Sequence, residues 1–408
     1  MAAFLIVPTV FSQTTLPAPK QEKLLNGLKV LMWSDAKADK VSIKLRIHSG
    51  SAFDPQGKEG VMKMLADNLF PNEATRQFFT EDLGGNLEIV ANYDYIQINA
   101  SSKPEGLLTM LETVATAVSN PAIDKETTAK LRTALLAKVA TMEADPAYVA
   151  DQAVAKRLFG TFPYGRPQYG TADSLKKIEF GDLIDAKNRF LTADNATIAI
   201  SGNFDKTAGL RAIRRYFGGW LKADKKVPAT FRQPDEPDTK NLRIEMPDLK
   251  KTYSRWATYA PARTDKDYYP MLIYVSIRRE WRCLISGKYE AYLLRGIYVS
   301  KEDRDRSYLP FYSGPCPLVL LKDGTTIFPE IPQADFERSK ARALAAINGS
   351  PAGLTDLWLD LDTYKLTSAD DEVRKTSGVT LLEVKALAEK LYKTPAVSVT
   401  VVSSQKSN

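Results

Sequence analysis

One histidine, His48, and two cysteines, Cys283 and Cys316, are the whole supply of imidazole and thiol in 408 residues. A centre that needs two imidazoles, or an imidazole beside several thiolates, is excluded by that count alone. A serine triad would have to use His48 as its base, and no G-x-S-x-G elbow is present. The cysteines pair only if the fold brings their Cα atoms within about 7 Å, so they identify no redox compartment. Long apolar runs are also missing. The longest, at the N-terminus, falls short of the roughly 20 residues that span a bilayer, so no transmembrane segment is expected. Nor is there a strong charge of one sign. Lys plus Arg is 56 and Asp plus Glu is 49, a formal charge of +7 that is spread thinly. The densest basic stretch, Lys222–Lys226 (KADKK), carries an aspartate of its own. With no RNP, zinc-finger or basic-zipper pattern, nucleic acid is not an expected partner. What remains is ordinary globular composition, 44% hydrophobic and 26% charged, in a chain long enough for roughly two to four domains.

Residues 1–12 read MAAFLIVPTVFS and precede the polar Gln13-Thr14-Thr15. An apolar stretch before a small-residue site has the form of a secretory leader, here without the usual basic opening. Residues 1–20 are therefore read as a signal-peptide remnant or a disordered N-terminus and are set aside from the fold. A leader implies a periplasmic or secreted chain.

Val41 to His48 alternates, with Val41, Ile43, Leu45 and Ile47 on one face and Ser42, Lys44, Arg46 and His48 on the other. That is the pattern of a half-buried strand. His48 thus falls on the polar face, near a loop, where a histidine is ordinarily a surface residue. A catalytic or pH-sensing use is the alternative. Gly60–Phe70 carries a helical stripe of Val61, Met64, Leu65 and Leu69. Two strand-like runs, Leu87–Ala91 and Tyr93–Ala100, follow the Gly84-Gly85 break. Helical stretches come next at Gly106–Ser119, Lys125–Glu143 and Tyr148–Phe159, bounded by Pro121 and Pro146. Thr197–Ser201 (TIAIS) is a short apolar strand, and 207–220 reads as helix.

Lys222–Lys240 then changes character, with three prolines and many charges, as a linker does. Beyond it the order repeats. Strand-like Tyr253–Tyr259, helical Tyr268–Ile277, strand-like Tyr308–Ser313 and helical Ala334–Asn348, Leu354–Lys365 and Leu381–Tyr392 lead to a last strand, Val397–Val402. Two halves of about 200 residues in matching order predict a duplicated α+β fold. The expected division is 21–221, a linker at 222–240, and 241–408, each domain a mixed β-sheet with helices packed on one face. Tyr253, Trp256, Tyr259, Tyr268, Tyr269, Tyr274, Trp281, Tyr289 and Tyr292 crowd one region, as core or as an interface.

Four segments in order resemble the insulinase/pitrilysin zinc peptidases, the family of the mitochondrial processing peptidase. They are Gly50–Phe70 (GSAFDPQGKEGVMKMLADNLF), the turn at Leu83-Gly84-Gly85, Phe159–Thr171 (FGTFPYGRPQYGT) and Ala199–Asp205 (AISGNFD). The resemblance runs over about residues 24–408 and implies half of a clamshell that encloses a chamber. In active members the helix after the Gly50 loop carries H-x-x-E-H. Residues i and i+4 then present two imidazoles to one zinc, and the glutamate takes a proton from the bound water. On GVMKMLADNLF those positions are Lys63, Ala66 and Asp67. The position of a further glutamate ligand falls near Lys138. The resemblance therefore implies an N-terminal domain whose metal site is lost, with no metal or cofactor in this chain. Lys63, Asp67 and Lys138 either form an ion-paired cluster where zinc once sat or are three solvated charges.

Active members also direct an Arg and a Tyr from the second half at the substrate carbonyl. The nearest match is Leu294–Tyr298 (LRGIY), shorter than the family pattern, with Arg295 and Tyr298 as candidates. The alternative places Tyr298 in a packed strand and Arg295 on the surface. The strand after the Gly-Gly turn pairs with substrate backbone in active members, and here Glu88-Ile89 stands where the family shows Asn-Ala. Members of this length often pair with a second chain, one partner supplying the zinc and the other lacking it. The implied function is thus the non-catalytic subunit of a heterodimeric zinc peptidase, its partner an H-x-x-E-H homologue and its substrate a peptide or unfolded protein. The alternatives are a scaffold subunit, as in the respiratory bc1 complex, a peptide-binding protein without a peptidase role, or an enzyme with unrelated chemistry.

Overall fold

The protein is described by a computed structural model over residues 17–224, 236–250, 252–280, 307–312, 319–320, 326–327, 330–348, 350–394 and 396–404. The first half runs β1 (Lys20–Lys23), β2 (Lys29–Ser34), β3 (Val41–Ile47), α1 (Val61–Asn68), α2 (Glu73–Glu81), β4 (Asn86–Ala91), β5 (Ile96–Ser102), α3 (Leu107–Ser119), α4 (Lys125–Glu143), α5 (Pro146–Phe159), α6 (Ala172–Lys176), α7 (Phe180–Phe190), β6 (Ala196–Gly202) and α8 (Lys206–Phe217). The second runs β7 (Asn241–Met246), β8 (Tyr253–Ala260), α9 (Tyr268–Glu280), β9 (Ser307–Tyr312), β10 (Val319–Leu320), β11 (Thr326–Ile327), α10 (Gln333–Asn348), α11 (Pro351–Tyr364), α12 (Ala369–Gly378), α13 (Leu381–Lys393) and β12 (Val397–Ser403).

The alternation in β3 does what period-2 patterning dictates. Val41, Ile43, Leu45 and Ile47 face a core with Met64 and Leu65 of α1, Leu111 and Val114 of α3, and Ile213 of α8. The six-stranded sheet has the order β1-β2-β6-β3-β5-β4. The last strand of the half, β6, is inserted parallel to β2 and antiparallel to β3. In the four-stranded sheet, β7-β12-β8-β9, the last strand β12 likewise lies parallel to β7 and antiparallel to β8. Both sheets are mixed, and the duplication read from element order is repeated in strand pairing. Lys20 belongs to β1, opposite Met32, so the segment set aside from the fold ends one residue earlier than expected.

In each half, helices pack on one face of the sheet, and a helix from the other half covers the opposite face. α5 crosses to the second sheet, where Ala150, Val154 and Leu158 meet Ala257, Val397, Val399 and Val401. α11 lies on the first sheet, where Leu359 meets Leu31 and Ala199. Either crossing helix sets an aspartate against a buried arginine of the strand next to the inserted one. Arg255 of β8 reaches Asp151 of α5 at 2.5 Å, and Arg46 of β3 reaches Asp360 of α11 at 2.6 Å.

This covering corrects the expected exposure of His48, which is 8% accessible. The spacing explains the fit. Four residues of helix rise about 6 Å and two residues of strand about 6.6 Å, so a helix laid along a strand offers i, i+4, i+7 to i, i+2, i+4. Asp356, Asp360 and Thr363 accordingly meet Lys44, Arg46 and His48. Of the crowded aromatics, Tyr268, Tyr269 and Tyr274 are core, and Tyr259 packs on Phe159. Trp281, Tyr289 and Tyr292 lie outside the described residues.

Candidate functional site

The Gly50 loop, the Phe159–Thr171 segment and the β4–β5 hairpin meet in one corner. The Tyr93 hydroxyl donates to the Arg166 carbonyl at 2.7 Å, and the Tyr164 hydroxyl donates to Asp94 at 2.5 Å. Arg166 donates to the Asp54 carbonyl at 3.2 Å. Asp54 itself starts α1. Gly60, the residue before the helix, has φ +106°, which an L side chain rarely adopts. With no side chain there to cap the helix, Asp54 reaches from outside. Its carboxylate accepts from the Gly60 amide at 2.8 Å and the Met62 amide at 2.7 Å, two donors left over at a helix start. Burial pushes the Asp54 carboxyl up to about 7, against these amides, which hold it down.

α1 then presents the three positions that the resemblance singled out. Ala66 is fully buried among the core residues. Lys63 and Asp67 face outward, 16% and 33% accessible, and the Lys63 ammonium donates to the Asp67 carboxylate one turn on. Lys138, on α4, lies over the Tyr169 ring with Nζ 4.6 Å from its centroid. The expected cluster is therefore two groups rather than three. Lys138 makes no ion pair with Asp67 among the described contacts, because the Tyr169 face holds its ammonium.

A zinc ion does not fit this donor set. Of the three positions on α1, one is an ammonium, one is a methyl group, and the single carboxylate already carries that ammonium. No group of three or more His, Cys, Asp or Glu side chains among the described residues could hold a metal.

The strand beside α1 can still bind. Among the described residues β4 pairs with β5 on one side only and is the edge of the sheet. A strand edge carries a row of backbone donors and acceptors ready for an added strand. Gly85, in the turn that launches it, can only be glycine: a Cβ there would sit 1.8 Å from the Ser101 carbonyl oxygen. Leu87 and Ile89 turn to the core, and Glu88 is exposed, accepting from Asn99 at 3.2 Å. The Gln168 side chain donates to the Ala91 carbonyl at the far end. Arg295 and Tyr298 lie outside the described residues, as do Cys283 and Cys316.

Sequence reasoning missed the polar row between the halves. Gln97, Arg46, Thr197 and Lys29 stand side by side across four strands. Onto this row α11 brings Asp360 and Asp362, which take Arg46 and Lys29 at 2.6 and 2.8 Å. Gln97 accepts from Arg46 at 2.7 Å, and the Tyr95 ring lies 4.0 Å from the guanidinium. A signal was present. Asp356, Asp360 and Thr363 stand at helical spacing, and Lys44, Arg46 and His48 at strand spacing.

A duplicated mixed-sheet fold with an edge strand beside a helix that carries Lys63, Ala66 and Asp67 defines a peptidase-like half-shell. Two family profiles match the chain in succession. The one described as insulinase (peptidase family M16) covers residues 29–172, and the one described as peptidase M16 inactive domain covers 177–286. The chain is an insulinase-family, M16-like peptidase homologue. An uncharacterised zinc protease of Rickettsia bellii is 24% identical over 208 residues, half of each chain. The chain spans about half the length of the curated relatives first matched. A structure described as a peptidase M16 inactive domain from Pseudomonas fluorescens shares the fold at a TM-score of 0.78, with 20% identity over 96% of this chain and 99% of that one. The periplasmic protease PqqL of Escherichia coli superposes at 0.68, with 15% identity over 95% of this chain and 48% of its own.

Proposed function

We propose that this chain is the non-catalytic subunit of a heterodimeric zinc peptidase. The observation that carries the reading is the pairing of a free edge strand, β4, with an adjacent helix whose metal positions hold Lys63, Ala66 and Asp67. The strand can take up extended peptide backbone, and the helix has nothing with which to cut it. The likeness to PqqL supports the same reading, since 95% of this chain corresponds in fold to 48% of that protease. The missing half is an H-x-x-E-H homologue that brings the zinc, and the shared substrate is a peptide or unfolded protein. Arg295 and Tyr298 are the residues of this chain proposed to reach the substrate carbonyl in the partner's site. The apolar N-terminal run and the periplasmic neighbour support a periplasmic location.

Peptide hydrolysis is measured for this chain, for its H-x-x-E-H homologue and for the mixture, with the mass of each by size exclusion. The expected result is activity dependent on the mixture, at the mass of a heterodimer, and lost with Arg295→Ala. No complex and no gain in activity would overturn the reading in favour of a scaffold or an independent binding protein.

A further inference from the structure

The duplication leaves one strand of the second sheet without the neighbour its counterpart has. β2 and β7 are equivalent, since each lies parallel to the last strand of its half. The outer edge of β2 is covered by the antiparallel strand β1. Among the described residues β7 pairs with β12 alone. The chain just before β7 is unsuited to cover it. That stretch carries Pro234 and Pro237, which have no amide proton to give a ladder. Asp238 and Lys240 are drawn to α5 instead. Arg157 donates to both of their carbonyls and pairs with the Asp238 carboxylate at 3.0 Å.

One bond fixes which residues of β7 face its outer edge. The Ser404 amide donates to the Met246 carbonyl at 2.9 Å, so Met246 turns its backbone toward β12. The N–H and C=O of a strand residue point to the same side, and successive residues point to opposite sides. Leu242, Ile244 and Met246 therefore bond toward β12. Asn241, Arg243 and Glu245 offer their amides and carbonyls outward. The side chains sort in the same way. Leu242, Ile244 and Met246 pack on the cluster under α5, and Asn241, Arg243 and Glu245 are exposed.

We infer that β7 pairs with β7 of a second copy of this chain, antiparallel about a two-fold axis at Ile244, so that two four-stranded sheets become one. Directly opposed residues of an antiparallel pair must both face the partner or both face away. The axis therefore passes through a residue and not between two. An axis at Arg243 sets that arginine against itself, and an axis at Glu245 does the same to the glutamate. The axis at Ile244 sets Arg243 of each copy against Glu245 of the other, in the hydrogen-bonded positions. Opposite charges facing one another across a ladder stabilise it, and like charges destabilise it. On the other face Leu242 meets Met246, and Ile244 meets its own copy. Pro247 ends the ladder, because it cannot donate. Within one chain Arg243 and Glu245 already stand 3.4 Å apart, with side chains 62% and 57% accessible. That pair is solvated and weakly held, so both groups are available to a facing strand. A contact of one short strand buries little surface, and its dissociation constant is expected at about 10 μM or weaker. β4 and α1 belong to the first half and take no part in it.

The test is sedimentation velocity on the full chain from about 2 to 200 μM, a range that brackets so small an interface. The mass should rise toward a dimer. Arg243→Glu and Glu245→Arg each set like charges opposite one another twice, and each should weaken self-association about tenfold or more. Mixed with each other, these two variants should pair, since an all-acidic strand then faces an all-basic one. The double variant, Arg243→Glu with Glu245→Arg, should dimerise as the unaltered chain does. Amide exchange should show Arg243 and Glu245 gaining protection with concentration while Leu242 and Ile244, already bonded to β12, stay unchanged. A monomer at every concentration would overturn the inference. So would a dimer that persists undiminished in Arg243→Glu, or protection gained on β4 in place of β7. Protection of Arg243 and Glu245 that appears only when the H-x-x-E-H homologue is added would assign the edge to that chain and not to a second copy. Peptide hydrolysis is not read in any of these measurements, so the subunit reading and this one fail separately.

Discussion

Asp360→Ala takes away the carboxylate that faces Arg46 at 2.6 Å and leaves a guanidinium only 2% accessible with Asp356, at 3.8 Å, as its remaining counter-ion. Removing one partner of a buried pair costs about 3–5 kcal/mol, because the survivor stays desolvated and unpaired. Two features reduce that here. Asp360 is itself 29% accessible, and Asp356 offers a second oxygen at 3.8 Å. Gln97 and the Tyr95 face also remain. The expected loss is therefore about 2–4 kcal/mol. Arg46→Met should cost less, about 1 kcal/mol, since the carboxylate it abandons can rotate to water and the stem volume is kept. The double variant should lose less than the sum of the two, a coupling of about 1–2 kcal/mol. Urea unfolding followed by far-UV ellipticity gives the three free energies, and amide exchange of α11 shows where the loss falls. Equal costs for the two single variants, or a cost below about 0.5 kcal/mol for Asp360→Ala, would refute the argument that the arginine is the stranded partner.

Asp54 gives a second test. Its carboxyl is raised from 3.8 to about 7, so the folded chain holds a proton that the unfolded chain has released between those values. Stability should fall as pH climbs through that window, by up to about 4 kcal/mol. Asp54→Asn should flatten the slope while losing one of the two amide bonds, as urea midpoints at pH 5 and pH 8 would show. Gly85→Ala should cost more than about 3 kcal/mol, since a Cβ at 1.8 Å from the Ser101 oxygen forces the β4–β5 pairing apart; the melting temperature reads this directly. Zinc or a chelator should leave the melting temperature of this chain unchanged, because a ligand stabilises only what binds it. A rise with zinc would contradict the reading of Lys63, Ala66 and Asp67.

The sequence by itself determined most of the fold. Alternation in Val41–Ile47 and the apolar stripe on α1 are local properties, fixed by periods of 2 and 3.6 residues, and they survive folding unchanged. The order of elements revealed the duplication, because both halves must solve the same packing problem with the same parts. Motif spacing also placed Lys63, Ala66 and Asp67 together on one helix, where the structure has them. Tertiary structure decided what the polar faces meet. Lys44, Arg46 and His48 carry the same pattern whether they face water or a helix 300 residues away, because periodicity says which face is polar and nothing about what covers it. Lys138 is the opposite case. Sequence distance placed it near the former metal position, but the ring of Tyr169, brought there by a loop after α5, took its charge instead. Local patterns are set by covalent neighbours, and charge partners are set by whatever the chain folds against them.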